Sequence, residues 1–406
     1  MPRIKSLEGI AISASDSENS FDFNPASFVK EKVAEIRGVV GNARAAIATS
    51  GGVDSTACAA LAHRALGKGL VCFFMDTGFM RQGEVEEVKK LLMPLGLPLK
   101  ILTVKDIFLR ELEGKVEAES KRLAFRDTFY SILGEAAKKE GCEVLIQGTI
   151  APDWIESSGG IKTQHNVLEQ LGVDTFNKFG FRLLEPLLDL YKDQVRILAR
   201  YLGVKVDASE RQPFPGPGLL VRCIGPISEE KVEVLRSATS VVEERLKVTR
   251  PAPKQYLAAV IEDERSPSKK AVEQAAAQIL PNAKVEYLRW RATGVKGDNR
   301  VYGKIAIVTG EERGPSELFG LPEKIIHKDK EIVRVVYAVD GGRSVKEGKF
   351  VIIVRAVETR DFMTAKPSPI PLKVLKQIAE KVKKDKRVSL VCYDLTSKPP
   401  ATVEFE

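Results

Sequence analysis

The sequence predicts an α/β fold, a doubly wound parallel sheet, followed by a second α+β domain. Three observations predict it. Fully apolar runs alternate with helical patterns through the first half, as strands buried on both faces of a parallel sheet require. The runs end in polar residues, Ser50, Asp76 and Gln147-Gly148-Thr149, where an open parallel sheet binds its ligands. A proline- and glycine-rich run, QPFPGPGL from Gln212 to Leu219, then breaks the pattern, and the grammar of the chain changes beyond it.

Residues 1–22 are polar and serine-bearing and are expected to form a mobile tail. A helix follows from Asn24-Pro25, with Phe28, Val29, Val33, Ile36 and Val39 at helical spacing. Strands are expected at Ala45–Ala48, Leu70–Met75, Leu99–Val104, Glu143–Ile146 and Arg182–Leu184. Between them lie a helix from Ser55 closed by Gly67, a charged helix near Gly83–Leu92 and a long helical region from Lys105 to Lys139. A further helix spans Lys192–Leu202. After the proline-rich run come a helix (Glu229–Leu246) and strands at Gln255–Ile261, Val285–Ala292, Lys304–Val308, Ile332–Val339 and Phe350–Val357. A helix at Leu372–Val382 and a strand at Val388–Tyr393 complete an α+β unit expected to carry an antiparallel sheet. No internal repeat is visible.

The run Ser50-Gly51-Gly52-Val53-Asp54-Ser55 lies between the first strand and its helix. A tight Gly-Gly turn there presents backbone N–H groups to an anion, and both serines add hydroxyl donors. No lysine follows the glycines, so this is not a Walker A loop. Asp54 would repel a phosphate unless a divalent cation lay between them. The run therefore reads as a pyrophosphate and magnesium loop.

The chain has 406 residues, a net charge of +8 and no apolar run long enough to span a membrane. The charge suits nucleotides, phosphorylated substrates or nucleic acid. The basic clusters carry no interleaved aromatics, which disfavours nucleic acid. Cys58, Cys72, Cys142, Cys223 and Cys392 are scattered without a C-x-x-C pair, as expected of free thiols in a cytoplasmic protein.

Several runs together resemble the ATP-pyrophosphatase part of GMP synthetase. They are SGGVDS (50–55), FMDTGFMRQGE (74–84), QGTIAPDWIES (147–157), YKDQVR (191–196) and RQPFPGPG (211–218). Further on come GVKGDNR (294–300), VETRDFMTA (357–365) and YDLTSKPPATVE (393–404). The resemblance implies an adenine nucleotide alpha hydrolase-like domain over residues 23–215 and a nucleotide-binding, dimerisation domain over 216–406. It implies ATP-dependent adenylylation of XMP at the C2 oxygen, then amination by ammonia to give GMP, AMP and pyrophosphate. Ser50, Gly51, Gly52 and Ser55 would cradle pyrophosphate, Asp54 would hold Mg2+, and Lys192 would add a cation. Asp76 and Gly148 fall at the adenosine pocket. The stretch from Ile155 to about Val173 matches a lid, and Asp153 just before it, with Glu156, Lys162 and His165 within it, are the expected catalytic residues. Arg222, Lys398, Thr402 and Glu404 fall in runs that bind the nucleotide substrate and pair two subunits into a homodimer.

Three features depart from the family pattern. No glutamine-hydrolysing domain precedes the loop, so ammonia is expected from a separate glutamine amidotransferase subunit or from solution. Gln164 stands where the family carries a histidine, and glutamine cannot take a proton. Extra sequence lies near 261–285 and 310–349, the second expected as a hairpin-like excursion turning at Asp340-Gly341-Gly342. The altered lid and the extra sequence keep open a paralogue that adenylylates another nucleotide or RNA.

Overall fold

The computed structural model describes residues 23–152, 180–205, 212, 214–297, 299–342, 348–359 and 364–406. Asp153, Glu156, Lys162, Gln164 and His165, expected at the lid, lie outside them.

Five strands, β1 (Arg44–Ala48), β2 (Leu70–Asp76), β3 (Leu99–Thr103), β4 (Cys142–Ile146) and β5 (Arg182–Leu184), form a parallel sheet in the order β3-β2-β1-β4-β5. The helices are α1 (Pro25–Val40), α2 (Val53–Leu66), α3 (Glu84–Leu92), α4 (Lys105–Leu112), α5 (Ala118–Lys139) and α6 (Lys192–Tyr201). Two apolar clusters, one including Phe73, Leu145 and Phe125 and the other Phe74, Ile146 and Leu61, cover opposite faces of the sheet. Successive residues of one strand enter different clusters, which is the period-2 geometry of a doubly wound sheet. Strand order reverses between β1 and β4, so the segments leaving these two strands diverge around a crevice. The long helical region from Lys105 to Lys139 is built of two helices, divided where Gly114 adopts a positive φ of 73°.

The second sheet contains β6 (Gln255–Glu262), β7 (Arg265–Pro267), β8 (Lys284–Leu288), β9 (Ala292–Lys296), β10 (Asn299–Thr309), β11 (Ile332–Ala338), β12 (Phe350–Glu358), β13 (Lys366–Pro367) and β14 (Val388–Asp394). It is mixed rather than antiparallel: β10 runs parallel to β11, and β12 to β14. The reason is connectivity, since α9 (Pro315–Leu318) and α10 (Leu321–Lys328) cross from β10 to β11, and α11 (Leu372–Val382) crosses from β12 to β14. The expected strand Val285–Ala292 is two strands, interrupted at Arg289–Arg291 where Trp290 packs against Gly225.

This sheet closes on itself. β6 pairs with β12 while β7 pairs with β8, and only Asp263 and Glu264 separate β6 from β7. Asp263 N–H donates to the Lys349 carbonyl (2.8 Å), and Arg289 N–H donates to the Glu264 carbonyl (3.0 Å). One continuous segment thus seals both edges of a barrel whose order is β6/β7-β12-β14-β11-β10-β8. Its interior holds Leu257, Ile261, Ile305, Ile307, Ile353 and Leu390, all essentially inaccessible. Its exterior is covered by α7 (Glu229–Lys247), α8 (Lys270–Ala277), α10 and α11. The described part of the extra sequence, 310–342, is therefore not a hairpin excursion. β11 is a barrel strand buried along its whole length, and β14 lies between it and β12.

The barrel also contains the repeat that the sequence conceals. In one half, α7 leads to β6, antiparallel to β12, which crosses through α11 to the parallel β14. In the other, α8 leads to β8, antiparallel to β10, which crosses through α9 and α10 to the parallel β11. Both parallel pairs skip one residue at the same place, between Lys304 and Ile305 and between Phe350 and Val351. Asp329 accepts from the Glu331 N–H (3.2 Å) as Asp385 does from the Arg387 N–H (3.0 Å). The halves meet along antiparallel β11 and β14, with Tyr337 opposite Tyr393, so an approximate two-fold axis passes there.

Candidate active site

The Ser50–Ser55 loop leaves β1 and enters α2, for which Gly52 is the N-cap. Gly51 takes a positive φ of 78°, open to glycine at no steric cost. Ser50 Oγ accepts from the Gly52 N–H (3.3 Å) and lies 3.1 Å from Ser55 Oγ; Ser55 Oγ in turn donates to the Gly52 carbonyl (3.2 Å). The loop is folded around its own hydroxyls, with the first N–H groups of α2 facing the crevice.

Asp54 and Lys192 are brought together from opposite ends of the domain sequence. Lys192 Nζ lies 2.8 and 2.6 Å from the two carboxylate oxygens of Asp54. Both side chains remain partly exposed. Gly148, beyond β4, faces the loop closely: a Cβ there would sit 3.2 Å from the Asp54 carbonyl oxygen and the Ser55 Cα. Beside it, Gln147 accepts from Tyr130 Oη (3.1 Å) and donates to Thr149 Oγ1 (3.0 Å), and Thr149 bonds to Glu185. Asp76 ends β2 and accepts from the Gly78 N–H (3.1 Å), shaping the turn rather than lining the cavity.

Between these loops opens a cavity of about 370 Å³. Its polar edge is Ser50, Gly52, Asp54, Ser55 and Gly148; its apolar wall includes Phe73, Met80, Phe129 and Leu133. The proline-rich segment closes one side through Phe214, Pro215 and Gly216. Arg81 pins that segment, donating to the Gln212 carbonyl and to Glu243 (2.8 Å each) while stacking on Phe214 at 4.1 Å. Gly218 has a φ of 64°, and a Cβ there would overlap the Phe79 carbonyl oxygen. The apolar wall from α5 escaped sequence reasoning because aromatic residues at helical spacing are equally the signature of core.

Magnesium fits this cavity in only one manner. Among the described residues no group of three or more His, Cys, Asp or Glu side chains could hold a metal. Asp54 supplies a single carboxylate, which suits an ion held mainly by phosphate oxygens and water.

The residues of the second half expected to bind the nucleotide substrate do not line this cavity, though Arg222 lies over Phe214, which does, at 5.2 Å. Arg222 and Glu404 form a buried two-point ion pair, Nε to Oε2 and Nη2 to Oε1, both 2.9 Å. Thr402 Oγ1 donates to the Thr293 carbonyl (3.1 Å) and accepts from Arg334 Nη2 (3.0 Å). Lys398 pairs through its backbone with Ala365. The structure thus gathers Arg222, Thr402 and Glu404 into one network and adds three residues that sequence reasoning missed. Arg334 and Arg355 both meet Asp394 Oδ2 at 2.7 Å, fully buried. Burial pushes the Asp394 carboxyl up, but Arg355 and Arg334 outweigh it and hold it below the usual range. Arg122 on α5 is 6% exposed, and its Nε and Nη1 are buried without a hydrogen-bond partner among the described residues. Burial, with Arg300 nearby, pushes that guanidinium down.

The fold and the cavity define the class first: a PP-loop protein, in which a strand, a Ser-Gly-Gly turn and a helix N-terminus build an anion cradle beside an apolar cavity. The family model described as the PP-loop domain matches residues 25–212, and that of the GMP synthase C terminal domain matches 339–405. The B subunit of the glutamine-hydrolyzing GMP synthase of Saccharolobus islandicus (strain M.14.25 / Kamchatka #1) is 45% identical over 385 residues, covering 95% of this chain and 100% of that protein. The same-named proteins of Sulfurisphaera tokodaii and Methanopyrus kandleri are 43% and 39% identical, each at 95% and 100% coverage. The chain belongs to this family of GMP synthase B subunits. No described helix is long and apolar enough to cross a membrane, and all five cysteines are buried and free.

Proposed function

We propose that the chain converts XMP to GMP with ATP and ammonia. The XMP C2 oxygen attacks the α-phosphorus of ATP, forming a P–O bond as pyrophosphate leaves. Ammonia then adds at C2, loses a proton, and AMP departs with the original oxygen. The observation that carries this reading is the Ser50–Ser55 cradle facing the cavity beside Asp54 and Lys192, in a chain whose relatives carry that name over their full length.

The apolar wall receives the adenine, and the loop N–H groups and the Ser50 and Ser55 hydroxyls receive the phosphates. Asp54 would hold magnesium, which supplies positive charge against the leaving pyrophosphate. Lys192 orients Asp54 and adds a second cation, so catalysis rests mainly on positioning and charge neutralisation. The XMP monophosphate suits Arg122, whose Nε and Nη1 have no hydrogen-bond partner among the described residues. Lys398, Thr402 and Glu404 suit the remaining polar groups. Asp153, Glu156, Lys162 and His165 are assigned to the lid reaction on the resemblance alone. Ammonia comes from a separate glutamine amidotransferase subunit, a reading supported by the relatives' being named as one lettered subunit of a glutamine-hydrolyzing enzyme.

Purified chain supplied with ATP, magnesium, XMP and ammonium should release GMP and pyrophosphate in equal amounts. Pyrophosphate release without GMP, or neither product, would overturn the proposal.

A further inference from the structure

Phe214 stands in two sites at once. Its ring lines the cavity beside the Ser50–Ser55 loop and lies between two guanidiniums, Arg81 at 4.1 Å and Arg222 at 5.2 Å. A guanidinium bonds through its edge and stacks through its face, so each can hold a carboxylate and the ring together. Arg81 takes Glu243 of α7 at 2.8 Å, and Arg222 takes Glu404 through two contacts of 2.9 Å. One ring therefore reaches from the cavity wall to the carboxylate expected at the nucleotide substrate.

The chain between Phe214 and Arg222 has little slack. The Gly218 N–H donates to the Pro215 carbonyl and the Leu219 N–H to the Phe79 carbonyl, 2.8 Å each. A turn of 3-10 helix then spans Gly218–Arg222. A Cβ at Gly218 would come within 3.3 Å of the Phe214 ring, so the turn packs directly against it. Past the turn, Arg222 and Glu404 belong to one body. The Glu406 N–H donates to the Val221 carbonyl (2.9 Å), and the Glu406 carboxylate accepts from the Gly225 N–H (3.1 Å) and pairs with Lys121 (2.6 Å).

We propose that Phe214 couples the two substrate sites. A base seated against the cavity wall fixes the ring, the ring fixes Arg222 by stacking and through the short turn, and Arg222 presents Glu404 to XMP. Phe214 is thus a positioning residue that acts on XMP through Arg222. Coupling between two binding events is reciprocal, so XMP tightens ATP by the factor by which ATP tightens XMP. Stacking contacts of this kind suit a factor of about ten. The role given to Glu404 rests on the XMP reading above, whereas the bridge from the cavity to Arg222 does not.

Calorimetric titration with magnesium and α,β-methylene ATP, which cannot release pyrophosphate, measures the factor without turnover. The parent chain should bind XMP about tenfold more tightly with the analogue present, and the analogue about tenfold more tightly with XMP present. Phe214→Leu keeps the wall apolar but cannot stack between guanidiniums, and should bring both factors below about two. Phe214→Tyr keeps the stack and should keep the parent factor. A variant that was merely unstable would bind less of each ligand at an unchanged factor. A parent factor near one, or a factor retained in Phe214→Leu, overturns the coupling while XMP binding itself stands. Absence of XMP binding under either condition overturns the substrate reading and the coupling with it. Should Phe214→Leu fail to fold, Arg81→Lys, which keeps the charge beside Glu243 and loses the planar face, gives the same readout.

Discussion

Gly148 shows how much a single residue decides. Nothing in its φ demands glycine, yet a side chain would press on the backbone of Asp54 and Ser55, the loop that cradles phosphate. Gly148→Ala should therefore displace the loop by a few tenths of an ångström. The expected result is a KM for ATP raised about tenfold with that for XMP nearly unchanged, read from initial rates. The loop glycines are legible in the sequence because a Ser-Gly-Gly turn before a helix has few other uses. Gly148 is legible only as a polar strand end. Arg122 is invisible to sequence reasoning: a cation inside a helical pattern reads as a solvated face, and only packing shows its Nε and Nη1 buried without partners among the described residues.

At the scale of elements, most strands and helices follow from apolar periodicity, and the exceptions have local causes. Gly114 divides the long helical region, and Trp290 interrupts the strand after β8. The repeat escaped notice because a barrel interior asks only for apolar residues of suitable size. Its trace is confined to identities such as Lys328-Asp329-Lys330 with Lys384-Asp385-Lys386, and Tyr337 with Tyr393.

Asp329 anchors the half of the barrel made of β8, β10 and β11. It accepts from Tyr287 Oη (2.9 Å) and pairs with Lys269 (3.2 Å) and Lys304 (3.4 Å). Burial pushes its carboxyl up, but the Tyr287 hydrogen bond and its other partners prevail and hold it at about 2, below the unfolded value of about 3.9. Its contribution to stability is thus fully present above about pH 4 and is lost as pH falls from there towards 2. Urea midpoints across that window should drop less in Asp329→Asn than in the parent protein, even though the variant is less stable at pH 7. At the opposite half, Ser228 caps α7 by accepting from the Lys231 N–H (3.2 Å). Ser228→Ala should cost about 1 kcal/mol in denaturant unfolding.

At the scale of the molecule, a buried ion pair ties the parallel-sheet unit to the barrel. Lys121 on α5 meets Glu406 at 2.6 Å, both nearly inaccessible, and also donates to the Cys223 carbonyl (2.9 Å). Glu406 accepts in addition from the Gly225 N–H (3.1 Å). Burial pushes the Glu406 carboxyl up despite Lys121, so stranding that carboxylate is expensive. Lys121→Met should destabilise the chain by about 3–5 kcal/mol, and adding Glu406→Gln should recover part of the loss in a double-mutant cycle.

The sequence by itself determined the parallel sheet, its phosphate loop and the reaction class, because those depend on local signals: apolar runs, a glycine turn and polar strand ends. It also marked the proline-rich junction that proves to wall the cavity. Tertiary structure alone decided that the second sheet closes, that its halves are related by a two-fold axis, and that Arg334 reaches Asp394 and the Thr402–Phe405 segment. The physical reason is range. Strand pairing between residues far apart in the chain leaves only an apolar requirement at each position, and a buried charge announces its partner only once the two have been packed together.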